Sequence, residues 1–325
     1  MQRAPSGVLR RHRRGSSAAV RDESTRATGA RRLHAAAALT GLLAAMAAGC
    51  QSVGTMIEAI PPASEGATGT REVAIPVEGL SRPMPATFHL PPGTPPFPLA
   101  VVSHGSDQRI EPRARMTMPS YPDLTAFLLA EGYAVLIPLR PGHGPAGGPY
   151  VEDQGGCERA DYRASGLATA RLIRAAIDHA ETMPSIAPGK TLVLGTSAGG
   201  WGAVALAATD PRGIRGYVNF SGGRGGRNRG RSGENCAPDR LVATAGAFGR
   251  SARLPALWLY AQNDSYFGPQ LSQALAQAYR DTGAPLTFAL LPPTTGDGHG
   301  LIDRPAVAWS QPLRRFLREI GGGRP

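Results

Sequence analysis

The segment Val193-Leu194-Gly195-Thr196-Ser197-Ala198-Gly199-Gly200-Trp201 sets a serine in a G-x-S-x-G pentapeptide. An apolar run precedes it and an Ala-rich stretch of helical character follows. A serine hydroxyl is a poor nucleophile at neutral pH, so it needs a general base and donors that trap the charge formed on attack. A sharp strand-to-helix turn lifts the hydroxyl above a sheet and aims the unpaired N–H groups of the helix start at the reacting centre. Glycine at 195 and 199 keeps that turn free of Cβ clashes.

Partners follow in the order this chemistry needs. The run Ala256-Leu257-Trp258-Leu259-Tyr260-Ala261 leads into Gln262-Asn263-Asp264, which puts a carboxylate at the end of a late strand. Another strand pattern, 286–291, is followed by the polar loop Thr295-Gly296-Asp297-Gly298-His299-Gly300. The chain order Ser197, Asp264, His299 is that of a nucleophile, orienting acid and base in an α/β-hydrolase, and differs from the order in other serine-protease folds. Asp297 and Asp303 compete for the acid role, but Asp297 lies only two residues from His299 and has little freedom to reach its ring. Upstream, Leu99-Ala100-Val101-Val102-Ser103 runs into His104-Gly105-Ser106. That loop is expected to give one oxyanion donor from the Ser106 backbone, with the other from Ala198. His104, which reads more readily as a shaping residue beneath this loop, His143 in Pro141-Gly142-His143-Gly144, and Arg227 are candidate substrate contacts. Loop packing is the other reading for His143, and a solvated loop the simpler one for Arg227.

The elbow, the run Trp258-Leu259-Tyr260-Ala261-Gln262-Asn263-Asp264-Ser265-Tyr266-Phe267, Asp297-Gly298-His299 and Arg140-Pro141-Gly142-His143-Gly144 together resemble the dienelactone-hydrolase-like branch of the α/β-hydrolases, from about residue 73 onward. The resemblance implies that fold and a Ser-Asp-His triad. True dienelactone hydrolases carry a cysteine nucleophile, and Ser197 in its place points to a serine esterase.

These residues need a sheet to hold them. Strands are expected at 72–77 and 86–90, with mostly parallel strands near 98–103, 133–138, 191–195, 215–220, 256–261 and 286–291. Helices near 121–131, 158–182, 199–208, 267–281 and 305–319 alternate with them, the pattern of a doubly wound α/β sheet with helices on both faces. Leu167, Ala170, Ile173, Ala176 and Ile177 recur at helical spacing and mark a sheet-facing stripe. The excursion 221–252 is expected to form a small lid on a catalytic domain spanning 71–325.

Net charge is +11 over 325 residues. Nine arginines and two acids lie in residues 1–49, which leaves 26 basic and 22 acidic residues in the remainder. That balance is too mild for a nucleic-acid footprint, and no nucleic-acid partner is expected. The cluster Arg224-Gly225-Gly226-Arg227-Asn228-Arg229-Gly230-Arg231 reads first as a solvated loop and second as an anion-recognising flap over the site. No metal-type Cys/His spacing occurs, and no cofactor is expected.

Residues 1–49 read as a basic leader with a signal peptide: Arg31-Arg32 precede an apolar stretch that ends at Gly49-Cys50. That stretch is too short and Ala-rich for a membrane span. Gly49-Cys50 resembles a bacterial lipobox, so Cys50 is the candidate lipidation site and 50–70 a Ser/Pro/Gly-rich tether. Cleavage without an anchor is the alternative. Cys157 and Cys236 then remain as a candidate disulfide in an exported chain. The chemistry expected is hydrolysis of a small-molecule ester through an acyl-enzyme, at a cell envelope reached through the lipid anchor. The alternatives are an amidase or peptidase, or a noncatalytic envelope lipoprotein on a hydrolase-like fold.

Overall fold

The computed structural model describes residues 69–322; Cys50, the leader and nearly all of the tether lie outside them. Eight strands form one sheet: β1 (Thr70–Ile75), β2 (Met84–His89), β3 (Leu99–Ser103), β4 (Ala134–Pro138), β5 (Thr191–Thr196), β6 (Ile214–Phe220), β7 (Ala256–Ala261) and β8 (Thr287–Leu291). Their spatial order is β1-β2-β4-β3-β5-β6-β7-β8. β2 runs antiparallel to β1 and β4, and the pairs from β4 onward are parallel. Strands β3, β4, β5 and β7 are buried at every residue. A parallel sheet covered on both faces requires this, and it is why these strands read as unbroken apolar runs.

Among the described residues six helices cover the faces, α2 (Pro122–Ala130), α3 (Tyr162–Glu181), α4 (Ala198–Thr209), α5 (Pro238–Gly249), α6 (Pro269–Arg280) and α7 (Ser310–Glu319), while the short α1 (Ile110–Ala114) lies at the strand ends beside the cleft. The Asp161 side chain caps α3 by accepting from Ala164 N–H at 2.8 Å, which satisfies one of the donors every helix start leaves open. Helix α3 buries Ala170, Ile173, Ala176 and Ile177 of the expected stripe, while Leu167 is half-buried. One core layer contains α3, α4, α5 and α6, and a second contains α2 and α7. Among the described residues no helix is long and apolar enough to cross a membrane.

The excursion 221–252 differs from the expected lid. Its second half is helix α5, which inserts Leu241, Ala245 and Phe248 into the core. Phe248 meets Trp201 edge-on at 5.5 Å. Only the stretch from Gly223 to Gly230 borders the open cleft at the strand ends. Helix α5 escaped the sequence reading because the Arg/Gly run before it set the character of the whole segment.

Cys157 and Cys236 form a disulfide, with Cα atoms 5.2 Å apart. It ties the segment after β4 to the segment after β6.

Register fixes where the loops emerge. Ser103 of β3 is level with Gly195 of β5, Thr196 with Phe220, and Ala261 of β7 with Leu291 of β8. Chain order reverses at β3, since the chain passes from β3 outward to β4 and then back to β5 on its other side. Such a switch point opens a crevice beyond the strand C-termini, where α/β sheets take their ligands.

Candidate active site

A cleft of about 1040 Å³ lies at these strand ends. Ser106, Ser197, Ala198, Arg227 and His299 all line it. Ser197 sits between β5 and α4 with φ 52° and ψ −120°, a strained conformation for a residue with a side chain, costing of order 1–3 kcal/mol. Neighbours hold it there: Ser197 N–H donates to the Phe220 carbonyl at 3.1 Å, and the Ser197 carbonyl accepts from Trp201 and Gly223 N–H at 2.9 and 3.1 Å. A Cβ on Gly195 would come within 2.4 Å of the Gly199 carbonyl, and one on Gly199 within 2.1 Å of the Ser103 carbonyl oxygen. Both are far inside contact distance, so glycine alone lets β3, β5 and α4 close on the turn. Ala198 opens α4, where an N–H has no intrahelical acceptor.

Asp264 and His299 meet. His299 Nδ1 is 3.2 Å from Asp264 Oδ1 and 3.3 Å from Oδ2. Asp264 is buried and also accepts from Tyr266 and Phe267 N–H at 2.8 and 2.9 Å. A buried carboxyl held in place by backbone N–H groups is well placed to orient an imidazole. With Nδ1 engaged, Nε2 is the ring nitrogen free to act. Tyr266 stacks on the His299 ring, centroids 4.0 Å apart at 23°. The Asn263 side chain clamps the histidine loop: Nδ2 donates to the Thr294 and Gly296 carbonyls at 2.9 and 2.7 Å, and Oδ1 accepts from Thr294 N–H at 2.9 Å.

Asp297 has another task. Its carboxylate accepts from Ser265 N–H and His299 N–H, each at 3.0 Å, and from the Ser265 hydroxyl. Burial alone would raise its carboxyl, but these hydrogen bonds hold it below the ordinary carboxylate value. It shapes the loop, while Asp264 takes the imidazole. Asp303 lines the cleft, and burial raises its carboxyl.

Two of the expected substrate contacts are corrected. His104 and His143 are fully buried and do not line the cleft. His104 Nε2 accepts from Arg140 N–H at 2.9 Å, and its Nδ1 faces the Gly105 carbonyl at 2.5 Å. His143 Nδ1 lies 3.1 Å from the carbonyls of both Arg140 and Pro141, and Nε2 lies 2.8 Å from Ser106 Oγ. Burial first, then the Arg140 guanidinium, pushes His104 well down and His143 to about 4. Both imidazoles are spent inside the fold beneath the Ser106 loop. Arg227 does border the cleft, its guanidinium 4.6 Å from the Tyr266 ring centre.

Sequence reading missed a buried ionic group behind the cleft. Glu152, fully buried, receives Arg140 Nε at 2.7 Å and Nη2 at 3.2 Å. It also receives Arg224 Nη2, and Thr169 Oγ1 at 2.8 Å. Burial would raise the Glu152 carboxyl, yet the two guanidiniums hold it well below its usual value. Arg140 further donates to Ser103 Oγ at 2.9 Å and the His104 carbonyl at 2.7 Å. The available signal was Arg140 itself, an arginine two residues past the end of a buried strand.

No protein-family model matches this sequence, and no curated protein matches it. Solved structures do resemble it. A Klebsiella pneumoniae structure assigned as a dienelactone hydrolase is 18% identical with a TM-score of 0.52, over 78% of this chain and 99% of that one. An esterase of Pyrococcus furiosus is 15% identical with a TM-score of 0.51, over 78% and 93%. An acylaminoacyl peptidase of Pyrococcus horikoshii is 14% identical with a TM-score of 0.52, over 77% and 40%.

Proposed function

From the premise that this chain has the α/β-hydrolase fold, we propose that it is a serine hydrolase acting on carboxylic esters through an acyl-enzyme. The observation that carries this is one arrangement: a strained serine at φ 52° and a histidine held on a buried aspartate at 3.2 Å, both opening on one cleft.

Ser197 Oγ attacks the ester carbonyl as His299 Nε2 takes its proton. The backbone N–H groups of Ala198 and Ser106 receive the charge on the tetrahedral oxygen, a contribution of roughly 3–4 kcal/mol per donor in measured cases. Asp264 holds the Nδ1–H tautomer and stabilises the imidazolium. His299 then protonates the departing alkoxide, and water, activated by the same imidazole, releases the acid.

The same site chemistry also serves amides, and an acylaminoacyl peptidase is among the structural neighbours. Two tests separate the readings. A fluorophosphonate probe labels Ser197 if the site is catalytic and leaves a noncatalytic binding protein unlabelled. A series of p-nitrophenyl esters and the matching anilides, graded by acyl length, then assigns ester or amide preference. An unlabelled protein inactive on the whole series overturns the proposal.

We also propose export to the cell envelope and lipidation at Cys50. The Cys157–Cys236 disulfide supports export, since such bonds persist in oxidising compartments. Intact mass of the purified protein tests the anchor: a diacylglyceryl-modified N-terminus at Cys50 is expected, and an unmodified one overturns it.

A further inference from the structure

Ser106 belongs to a hydrogen-bonded chain whose direction its members dictate. Arg224 can only donate, and its Nη1 meets the Tyr150 hydroxyl at 3.1 Å. The phenol oxygen is thereby an acceptor, and its one proton is free for Ser106 Oγ, also at 3.1 Å. Ser106 in turn donates to His143 Nε2 at 2.8 Å, the nearer of its two acceptors, the Asp107 carbonyl lying at 3.3 Å. That nitrogen is bare, because His143 Nδ1 carries the proton toward the carbonyls of Arg140 and Pro141. A one-way chain thus runs from a buried guanidinium, through two hydroxyls and an imidazole, to the backbone of the 140–144 loop.

Tyr150 grips the same loop a second way. The Arg113 guanidinium lies 3.7 Å from the centre of the Tyr150 ring, and its Nη1 donates to the carbonyls of Asp107 and Gln108 at 3.0 and 2.5 Å. The phenol therefore holds Ser106 by its hydroxyl while its face seats the arginine that holds the next two residues. Gly142, at φ 80°, packs on the Tyr150 backbone so closely that a Cβ there would lie 2.7 Å from its Cα. The tyrosine is itself locked to the histidine loop. Tyr150 does not line the cleft, so it acts there through partners that do: Ser106 and Arg224 at its hydroxyl, and Arg113 on its ring.

We infer that Tyr150 is a positioning residue for the oxyanion hole, fixing the Ser106 backbone N–H where the tetrahedral oxygen forms. This rests on the hydrolase reading above. An oxyanion donor is worth most when its position is set before charge develops, and a misplaced donor weakens the transition state while leaving substrate binding almost intact.

The experiment measures p-nitrophenyl ester hydrolysis per active site titrated with fluorophosphonate, in wild type, Tyr150→Phe, Ser106→Ala and the double variant. Tyr150→Phe keeps the ring under Arg113 and loses only the hydroxyl. Its kcat is expected to fall about tenfold with KM within about twofold, a fraction of the 10²–10³ lost when a donor is removed outright. Affinity for a trifluoromethyl ketone, which mimics the tetrahedral adduct, should fall in step with kcat. Ser106→Ala keeps the backbone N–H and loses the tether, so it should match Tyr150→Phe, and the double variant should be no slower than either. A structural role alone would lower Tm and the titrated fraction without changing kcat per site. Wild-type kcat per site in Tyr150→Phe, or losses that multiply in the double variant, overturns the inference. Should Tyr150→Phe not fold, Ser106→Ala decides alone: wild-type kcat per site there overturns it. A wild type that takes no fluorophosphonate label and hydrolyses neither the esters nor the matching anilides overturns the hydrolase reading instead, and this inference with it.

Discussion

The tripeptide Gly-His-Gly occurs twice in this chain, at Gly142-His143-Gly144 and Gly298-His299-Gly300, and the two histidines end in opposite circumstances. His299 borders the cleft, its Nδ1 on the Asp264 carboxylate and its ring against Tyr266. His143 is fully buried, its Nδ1 on two backbone carbonyls, with Arg140 among the causes that depress its pKa. Glycine flanks give both loops the freedom to place a ring, and the group that meets Nδ1 decides its use. A carboxylate lets an imidazole hold a second proton for the length of a reaction. Carbonyls beside a guanidinium keep it neutral and make it a fixed acceptor.

The largest expected effect breaks this pair apart. Ser197→Ala and His299→Ala should each lose turnover by about 10⁵–10⁶, since such groups act as a unit. His143→Gln should lose about tenfold, through a loosened Ser106, a small part of the 10²–10³ attached to a full oxyanion donor. Steady-state kinetics on one ester decide it, and equal losses at both histidines would erase the contrast. The two acids that meet His299, Asp264 at its ring and Asp297 at its backbone, sharpen it further. Asp264→Asn should cost roughly 10⁴ in kcat by misorienting the imidazole, whereas Asp297→Asn, which alters only loop hydrogen bonds, should stay within about tenfold. The reverse ranking would reassign the acid.

Stability separates the two regions in the other direction. The disulfide joins Cys157, five residues past Glu152, to Cys236, just beyond the Arg224 loop, so it braces the His143 side. For a sequence separation of 79 residues the chain-entropy model gives up to about 4–5 kcal/mol. Reduction, or Cys157→Ser with Cys236→Ser, should lower the denaturation midpoint accordingly, read by urea unfolding. Acid should act on the same side. His143 is lowered from 6.5 to about 4 in the fold, so its contribution is complete above pH 6.5. That contribution falls as pH drops from 6.5 toward 4, where the unfolded chain binds the proton and the native one resists it. The loss reaches about 3 kcal/mol at most for that shift. His104 and Glu152, also depressed, add in the same direction. His143→Gln should flatten the slope of unfolding free energy between pH 6.5 and 4; an unchanged slope would show that His143 does not carry it. The smallest effect is at the rim. Arg227→Gln should change kcat/KM by only about twofold to fivefold, the scale of one exposed charge, with esters bearing a negative charge losing more than neutral ones.

The central strands β3, β4, β5 and β7 were legible because a doubly covered parallel sheet demands continuous apolar runs, and each of the eight expected strands lies within two residues of the observed one. The placement of Ser197, Asp264 and His299 at the strand ends was legible because each follows directly on such a run or its loop. Glu152, Tyr150 and Arg113 were not. Each takes its role from partners on other elements: Glu152 needs Arg140, Thr169 and Arg224, and Tyr150 needs Ser106 and Arg113. No local pattern marks a carboxylate met by two guanidiniums and a hydroxyl from three other segments. His104 and His143 take the shaping and loop-packing roles that competed with substrate contact, a choice the sequence left open because proximity to strand ends does not say on which side of a loop a ring lies.

Glu152 carries a consequence for the order in which the molecule comes into being. Two of its partners, Thr169 and Arg224, lie downstream of it, and Arg224 follows by 72 positions. A ribosome that has delivered the chain only to β5 has made a carboxylate whose second cation does not yet exist, and burying it then would leave it half-compensated. The pocket behind the oxyanion loop is therefore expected to close late, after β6 and its loop have emerged. Until then nascent chains should keep Glu152 in water and the two halves of the cleft apart.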